Sequence, residues 1–191
     1  MAATEDHPND TTVTVLLLGD PGCGKSTFLS WATTSVAIAP SGGRPNDGSV
    51  VELLRDSDQP FVYDIRFSKA SFTLHIYDTA SPNQHWTTLR PDLVGLAFDI
   101  SDRDTYFQHG SGERIPVMMI GLKRDLRGKS DDIIYPQESY RIAQELHCDQ
   151  YAECSAVTGE LLAETFEDLA RLAGMTTTEA GGQTSGGCTI Q

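Results

Sequence analysis

Val13 to Thr27 reads VTVLLLGDPGCGKST, and its apolar first half stops abruptly at a glycine. A short, continuously apolar run from Val13 to Leu18 suits a parallel strand covered on both faces, because such a strand has no solvent side with which to alternate. The residues that follow, Gly19 to Ser26, fit G-x-x-x-x-G-K-[ST] and lie between that predicted strand and a helical stretch predicted from Ser26. Glycines at such spacing let the backbone wrap around phosphate oxygens and turn several N–H donors inward at the positive end of a helix. Lys25 is then placed to neutralise β and γ oxygens, and the Ser26 hydroxyl to ligate Mg²⁺. A glycine-rich turn that serves packing alone is the plainer reading; the complete motif in its strand-to-helix setting points to phosphate.

Outward from this loop, helix and strand periods alternate. Phe61, Tyr63, Ile65 and Phe67 alternate with polar or smaller neighbours, and Phe72, Leu74 and Ile76 do so after the SKA turn, which predicts an antiparallel hairpin. Leu93 to Ile100 and Ile115 to Gly121 read as buried strands, and Tyr151 to Cys154 as a short last one. Pro136 is suited to the first turn of a helix over QESYRIAQEL, and Leu162, Phe166, Leu169 and Ala173 recur at helical spacing. The pattern predicts an α/β three-layer domain without internal repeats, over residues 12–174. Residues 1–11 and 175–191 are polar and aperiodic and are expected to be flexible ends. Thr33 to Gln59, rich in Ser, Gly, Pro and Asp, is a loop of the length that usually carries function or moves.

Composition narrows the partners. The chain has 191 residues and a formal net charge of -13, which argues against coating nucleic acid or acidic lipid, since that needs a surplus of Lys and Arg. Cys23, Cys148, Cys154 and Cys188 have no metal-ligand spacing. No apolar run approaches the roughly 20 residues that span a bilayer, and MAATEDHPND is the reverse of a signal peptide's basic and apolar order. A cytoplasmic chain with reduced thiols is expected.

Further segments follow in order. YDTA ends the predicted third strand at Asp78, GLKRDLR spans 121–127, YAECSAVT spans 151–158, and CTIQ stands last. Together with the phosphate loop these resemble the Ras superfamily of small GTPases, closest to its Rho branch, over nearly the whole chain. The resemblance implies a small G domain: a P-loop NTPase with a mostly parallel six-stranded sheet, one antiparallel strand and helices on both faces. It implies GTP or GDP with Mg²⁺, held by Gly22, Cys23, Gly24, Lys25, Ser26 and Thr27, with Ser26 on the metal and Asp78 reaching it through water. Asp125 would accept paired hydrogen bonds from the guanine edge, which adenine cannot offer in that arrangement, and the Lys123 stem would pack on the base. Ser155 and Ala156 would offer backbone and hydroxyl contacts to the guanine edge. The plainer alternatives are that Asp125 caps a turn, that Lys123 is a solvated strand end, and that Ser155 or Thr158 caps the helix that follows.

The departures bear on catalysis. Ser81 and Pro82 stand where the family has the glycine and glutamine that meet the γ-phosphate and position water. Proline has no amide side chain and restricts its neighbour, so intrinsic hydrolysis is expected to be weak. Gln84 is a displaced substitute or a surface residue. The switch threonine falls at Asp56, with Ser57 beside it, and Pro21 replaces a glycine of the phosphate loop. Leu122 replaces the Asn or Thr that ties the base loop to the phosphate loop, a loss of roughly 1 kcal/mol. Between Ile100 and Pro116 the chain is roughly ten residues shorter than the family's third helix needs. That helix and the Rho-type insert are expected to be shortened or absent.

CTIQ fits a C-a-a-X box, so Cys188 is a prenylation site by resemblance, with an unmodified tail as the alternative. Neither a basic cluster nor a second cysteine precedes it, so membrane attachment would be reversible. The implied function is a Rho-like signalling switch acting through effector and regulator proteins, with feeble hydrolysis. A pseudo-GTPase scaffold that does not cycle is the alternative, and a P-loop ATPase is disfavoured by Lys123 and Asp125.

Overall fold

A computed structural model describes residues 10–35, 59–67, 70–79, 89–102, 115–129 and 132–177. The strands are β1 (Asp10–Leu18), β2 (Phe61–Phe67), β3 (Ala70–Thr79), β4 (Leu93–Asp99), β5 (Val117–Leu122) and β6 (Gln150–Glu153). The helices are α1 (Lys25–Ser35), α2 (Pro136–Glu145) and α3 (Leu162–Thr177), with a 3-10 turn at Arg124–Leu126. One sheet in the order β2-β3-β1-β4-β5-β6 contains all six strands. Only β2 and β3 pair antiparallel; the pairs β1–β3, β1–β4, β4–β5 and β5–β6 are parallel. This is the three-layer α/β sheet that the alternating periods predict.

Burial explains why the strands read as they do. Every residue of β4 and of β5 is buried, as expected for central parallel strands with both faces covered. On one face α1 and α3 pack through Phe28, Leu29, Leu162, Phe166 and Leu169 against Val13, Val15 and Leu17. Phe166 stacks on Phe28 with centroids 4.6 Å apart and meets Tyr63 at 5.5 Å, so α3, α1 and β2 share one aromatic contact. The Tyr63 hydroxyl donates to Leu29 O at 3.0 Å, which satisfies a buried phenol, and burial pushes its pKa up. The opposite face carries α2, whose Ala143 packs with Phe98, Ile100, Met119 and Ile134.

Two aspartates set the parallel register. Asp92 donates its N–H to Thr14 O at 2.8 Å and accepts from Thr14 N at 2.8 Å through its carboxylate. Asp149 repeats this on Val117, with 2.8 Å from its N–H and 2.9 Å to its carboxylate. Each sits one residue before its strand and makes the first rung of the ladder with backbone and side chain together.

Several boundaries differ from the sequence expectation. β1 begins at Asp10, because Asp10 to Thr12 continue the pairing with β3 although polar; α1 starts one residue earlier, at Lys25; and α3 runs on to Thr177. Among the described residues no helix lies between Leu126 and Pro136, where the Rho-type insert would fall. The third-helix region at 103–114, the segment 36–58 and the terminal segments 1–9 and 178–191 lie outside the described residues.

Phe166→Ala removes the ring shared by three elements, and it is expected to cost about 3 kcal/mol. Urea unfolding should show a lower midpoint with an unchanged slope.

Candidate nucleotide site

Because five strands are mutually parallel, Leu18, Thr79, Asp99, Leu122 and Glu153 all end at the same edge of the sheet. That edge, the loops leaving it and the first turn of α1 carry every candidate binding residue that falls among the described positions. The chain order reverses between β1 and β4, and the crevice at such a reversal is where α/β sheets bind ligands.

Gly19 lies at this reversal. A Cβ there would stand 2.2 Å from the Ala97 carbonyl oxygen, so no other residue fits without moving β4. Gly22 has φ 81, left-handed backbone that glycine adopts without strain, and open space on its side-chain side. Cys23 turns inward: its thiol is 3.7 Å from Ala97 O, and burial raises its pKa. Lys25, 5% exposed, donates to Gly19 O at 2.7 Å and Asp20 O at 3.0 Å, which bends the loop around the ammonium. The same ammonium is 4.0 Å from Asp78 Oδ1. Thr27 follows in the first turn of α1.

Ser26 and Asp78 meet across the crevice, with Ser26 Oγ 3.4 Å from Asp78 Oδ2. A hydroxyl beside a carboxylate is a hard oxygen donor set, suited to Mg²⁺ completed by water and phosphate oxygens. Asp78 is also held from behind, where Gln59 Nε2 donates to its carbonyl oxygen at 2.8 Å.

The second half of the site is built by the loops after β5 and β6. Leu122 is 2% exposed, and its side chain approaches within 3.6 Å of the place a Gly24 Cβ would take. An apolar contact thus stands where the resemblance implies a hydrogen bond. Lys123 adopts φ 61, ψ 36, after which the 3-10 turn presents Asp125. Ser155 Oγ donates to Asp125 Oδ1 at 2.6 Å and accepts from Thr158 N at 3.1 Å. Ser155 therefore caps the turn, as the plainer reading expects, and also orients the Asp125 carboxylate. Its hydroxyl is thus engaged on both sides, and Ala156 is next along the same loop. Asp125, Lys129, Thr158, Gly159 and Glu160 line an open hollow beside these loops.

Known sequences identify the family. A model of the Ras family matches residues 58–174. The chain belongs to the Ras family. Curated relatives are Rho-like at modest identity. The Ras-like GTP-binding protein RHO1 of Entamoeba histolytica is 28% identical over 80% of this chain and 72% of its own. The Rho-related protein racM of Dictyostelium discoideum is 26% identical over 86% of this chain and 91% of its own. The GTP-binding protein rho2 of Schizosaccharomyces pombe is 26% identical over 83% and 86%. This is a Rho-like small GTPase of the Ras superfamily, and family membership implies guanine-nucleotide binding.

Asp56, Ser57, Ser81, Pro82, Gln84 and Cys188 lie outside the described residues. Conversely, the structure brings in residues that the motifs of this GTPase did not flag. Glu153, 5% exposed at its side chain, accepts from Arg124 Nη1 at 2.9 Å, from Arg127 Nη2 and from the Tyr151 hydroxyl. Arg124 also donates to Glu160 at 2.9 Å, and its N–H to Cys154 O at 3.1 Å, so the loop bearing Asp125 is clamped to the loop bearing Ser155. The sequence signal was available: a glutamate ending a strand beside Cys154 needs cationic partners once buried.

Glu153→Ala would leave two guanidinium groups facing a hole. Because these are 27% and 21% exposed, water offsets part of the loss, and a cost of about 2 kcal/mol is expected in urea unfolding, with Glu153→Gln milder.

Proposed function

We propose that this chain is a guanine-nucleotide switch of the Rho type, which binds GTP and GDP with Mg²⁺, hydrolyses GTP slowly and signals through effector proteins. The observation that carries the proposal is the convergence, at one edge of the sheet, of the Lys25, Ser26 and Asp78 cluster with the Lys123, Asp125 and Ser155 cluster. In this reading Lys25 leaves the Gly19 and Asp20 carbonyls for β and γ oxygens, and backbone N–H groups from Gly22 to Thr27 line the phosphates. Ser26 would hold the metal directly and Asp78 would do so through water. Mg²⁺ bound there would supply charge neutralisation for the phosphates. Asp125, oriented by Ser155, takes the guanine edge, while Lys123 covers the face of the base.

Slow hydrolysis follows from Ser81 and Pro82 in the places of the family's glycine and glutamine. Phosphoryl transfer depends on positioning, and a proline cannot orient the attacking water. The scaffold alternative draws on the same two residues: a bound GTP that stays intact indefinitely would favour it. CTIQ at residues 188–191 fits a C-a-a-X box and supports prenylation at Cys188 with reversible attachment to the cytoplasmic face of a membrane.

A single-turnover assay with Mg²⁺ and γ-labelled GTP tests the central claim. GTP should bind in preference to ATP and release phosphate over hours, Lys25→Ala should abolish retention, and Pro82→Gln should accelerate release of phosphate about tenfold or more. Equal binding of ATP and GTP would overturn the reading. Fractionation of cells expressing the chain should show Cys188→Ser wholly in the soluble fraction; unchanged membrane recovery would remove the lipid assignment.

A further inference from the structure

Lys123 ends in a contact that its motif does not require. Its Nζ donates to Asp99 Oδ2 at 2.6 Å, and Asp99, 8% exposed, is the last residue of β4. The carboxylate is fixed from its other side, where Oδ1 accepts from Ser101 N at 2.8 Å and Ser101 Oγ at 2.6 Å. Burial opposes its ionisation, but the hydrogen bonds from Lys123 and Ser101 outweigh burial and hold Asp99 below the usual carboxylate range. Asp99 is therefore a fixed anion, and Lys123, one-third exposed, is the side chain that it holds.

Two features give this pair a task. Lys123 occupies left-handed backbone, which a residue with a Cβ adopts only where its surroundings compensate. The polar side chain expected at residue 122 to tie the base loop to the phosphate loop is missing, with Leu122 in its place. The Lys123 stem bridges that gap: a Cβ at Gly24 would lie 3.7 Å from Lys123 Cε. The side chain thus runs from the base loop, past the phosphate loop, to the end of β4.

We propose that Asp99 is a positioning residue for nucleotide retention, gripping Lys123 so that its stem forms a fixed platform for the purine face and replaces the tie absent at Leu122. The proposal rests on the guanine-nucleotide reading above and assigns residence time on the protein to this pair. A stem packed on the face of the ring retains any purine alike, whereas discrimination of the edge stays with Asp125.

The test is dissociation of fluorescently labelled GDP and IDP from the full chain with Mg²⁺; the hypoxanthine of IDP lacks the 2-amino group that Asp125 would read. Asp99→Asn should speed release of both by the same factor, about three- to tenfold. Lys123→Met keeps the stem and loses the charge; it should reproduce that increase, and adding Asp99→Asn to it should change nothing further. Should Asp99→Asn fail to fold, Lys123→Met alone carries the expectation. Unchanged release, a full additional effect in the Lys123→Met background, or a shifted GDP to IDP ratio would overturn the positioning role, the last because it means that the whole base loop has moved. Failure of the wild-type chain to retain either nucleotide would instead overturn the guanine reading, and the positioning role with it.

Discussion

Gly19 leaves no room for a side chain, since a Cβ there would stand 2.2 Å from the Ala97 carbonyl oxygen, and the remaining geometry depends on it. Because the chain leaves β1 across the top of β4 without a side chain between them, the loop can curl over the reversal in strand order. Lys25 is then folded back under its own loop and reaches Asp78 on β3. A bulkier turn would lift the start of α1 off the sheet and separate Ser26 from Asp78. The apolar body beneath supplies the rigidity: β4 and β5 are wholly buried, and α1 is pinned to α3 by stacked rings.

Much of this was legible in the sequence, for identifiable reasons. Continuous apolar runs name central parallel strands, and alternation in FVYDIRF and ASFTLHIYDT names the hairpin at the sheet edge. The phosphate loop was legible because its glycines answer a steric demand that no other residue meets. The partners of Asp99 and the cationic partners of Glu153 were not, because Lys123 lies 24 residues from Asp99, Arg124 and Arg127 lie 29 and 26 from Glu153, and no local period reports a cross-loop ion pair. The extent of β1 was missed for a related reason: Asp10 to Thr12 are polar, yet pairing with β3 holds them in the sheet. Leu122 shows the reverse case, in which a departure visible in the sequence becomes a packing contact with Gly24 in three dimensions.

An acidic chain that holds a polyanion must arrange its few cations locally. The net charge is -13, yet Lys25, Lys123, Arg124 and Arg127 gather around the loops at the end of the sheet. Each lies against a carboxylate or a carbonyl, so each is already oriented. The carboxylates that orient these cations also lower the net positive field, which makes the site depend on geometry more than on bulk attraction.

Gln59 has a consequence for motion. Its side chain joins the residue just before β2 to the backbone of Asp78 at the end of β3. The residue just before β2 and the end of β3 are therefore tied at a common post. A displacement of Gln59 or of the end of β3 is delivered to the same carbonyl, directly behind the carboxylate that faces Ser26, so the two share one mechanical load at that carboxylate.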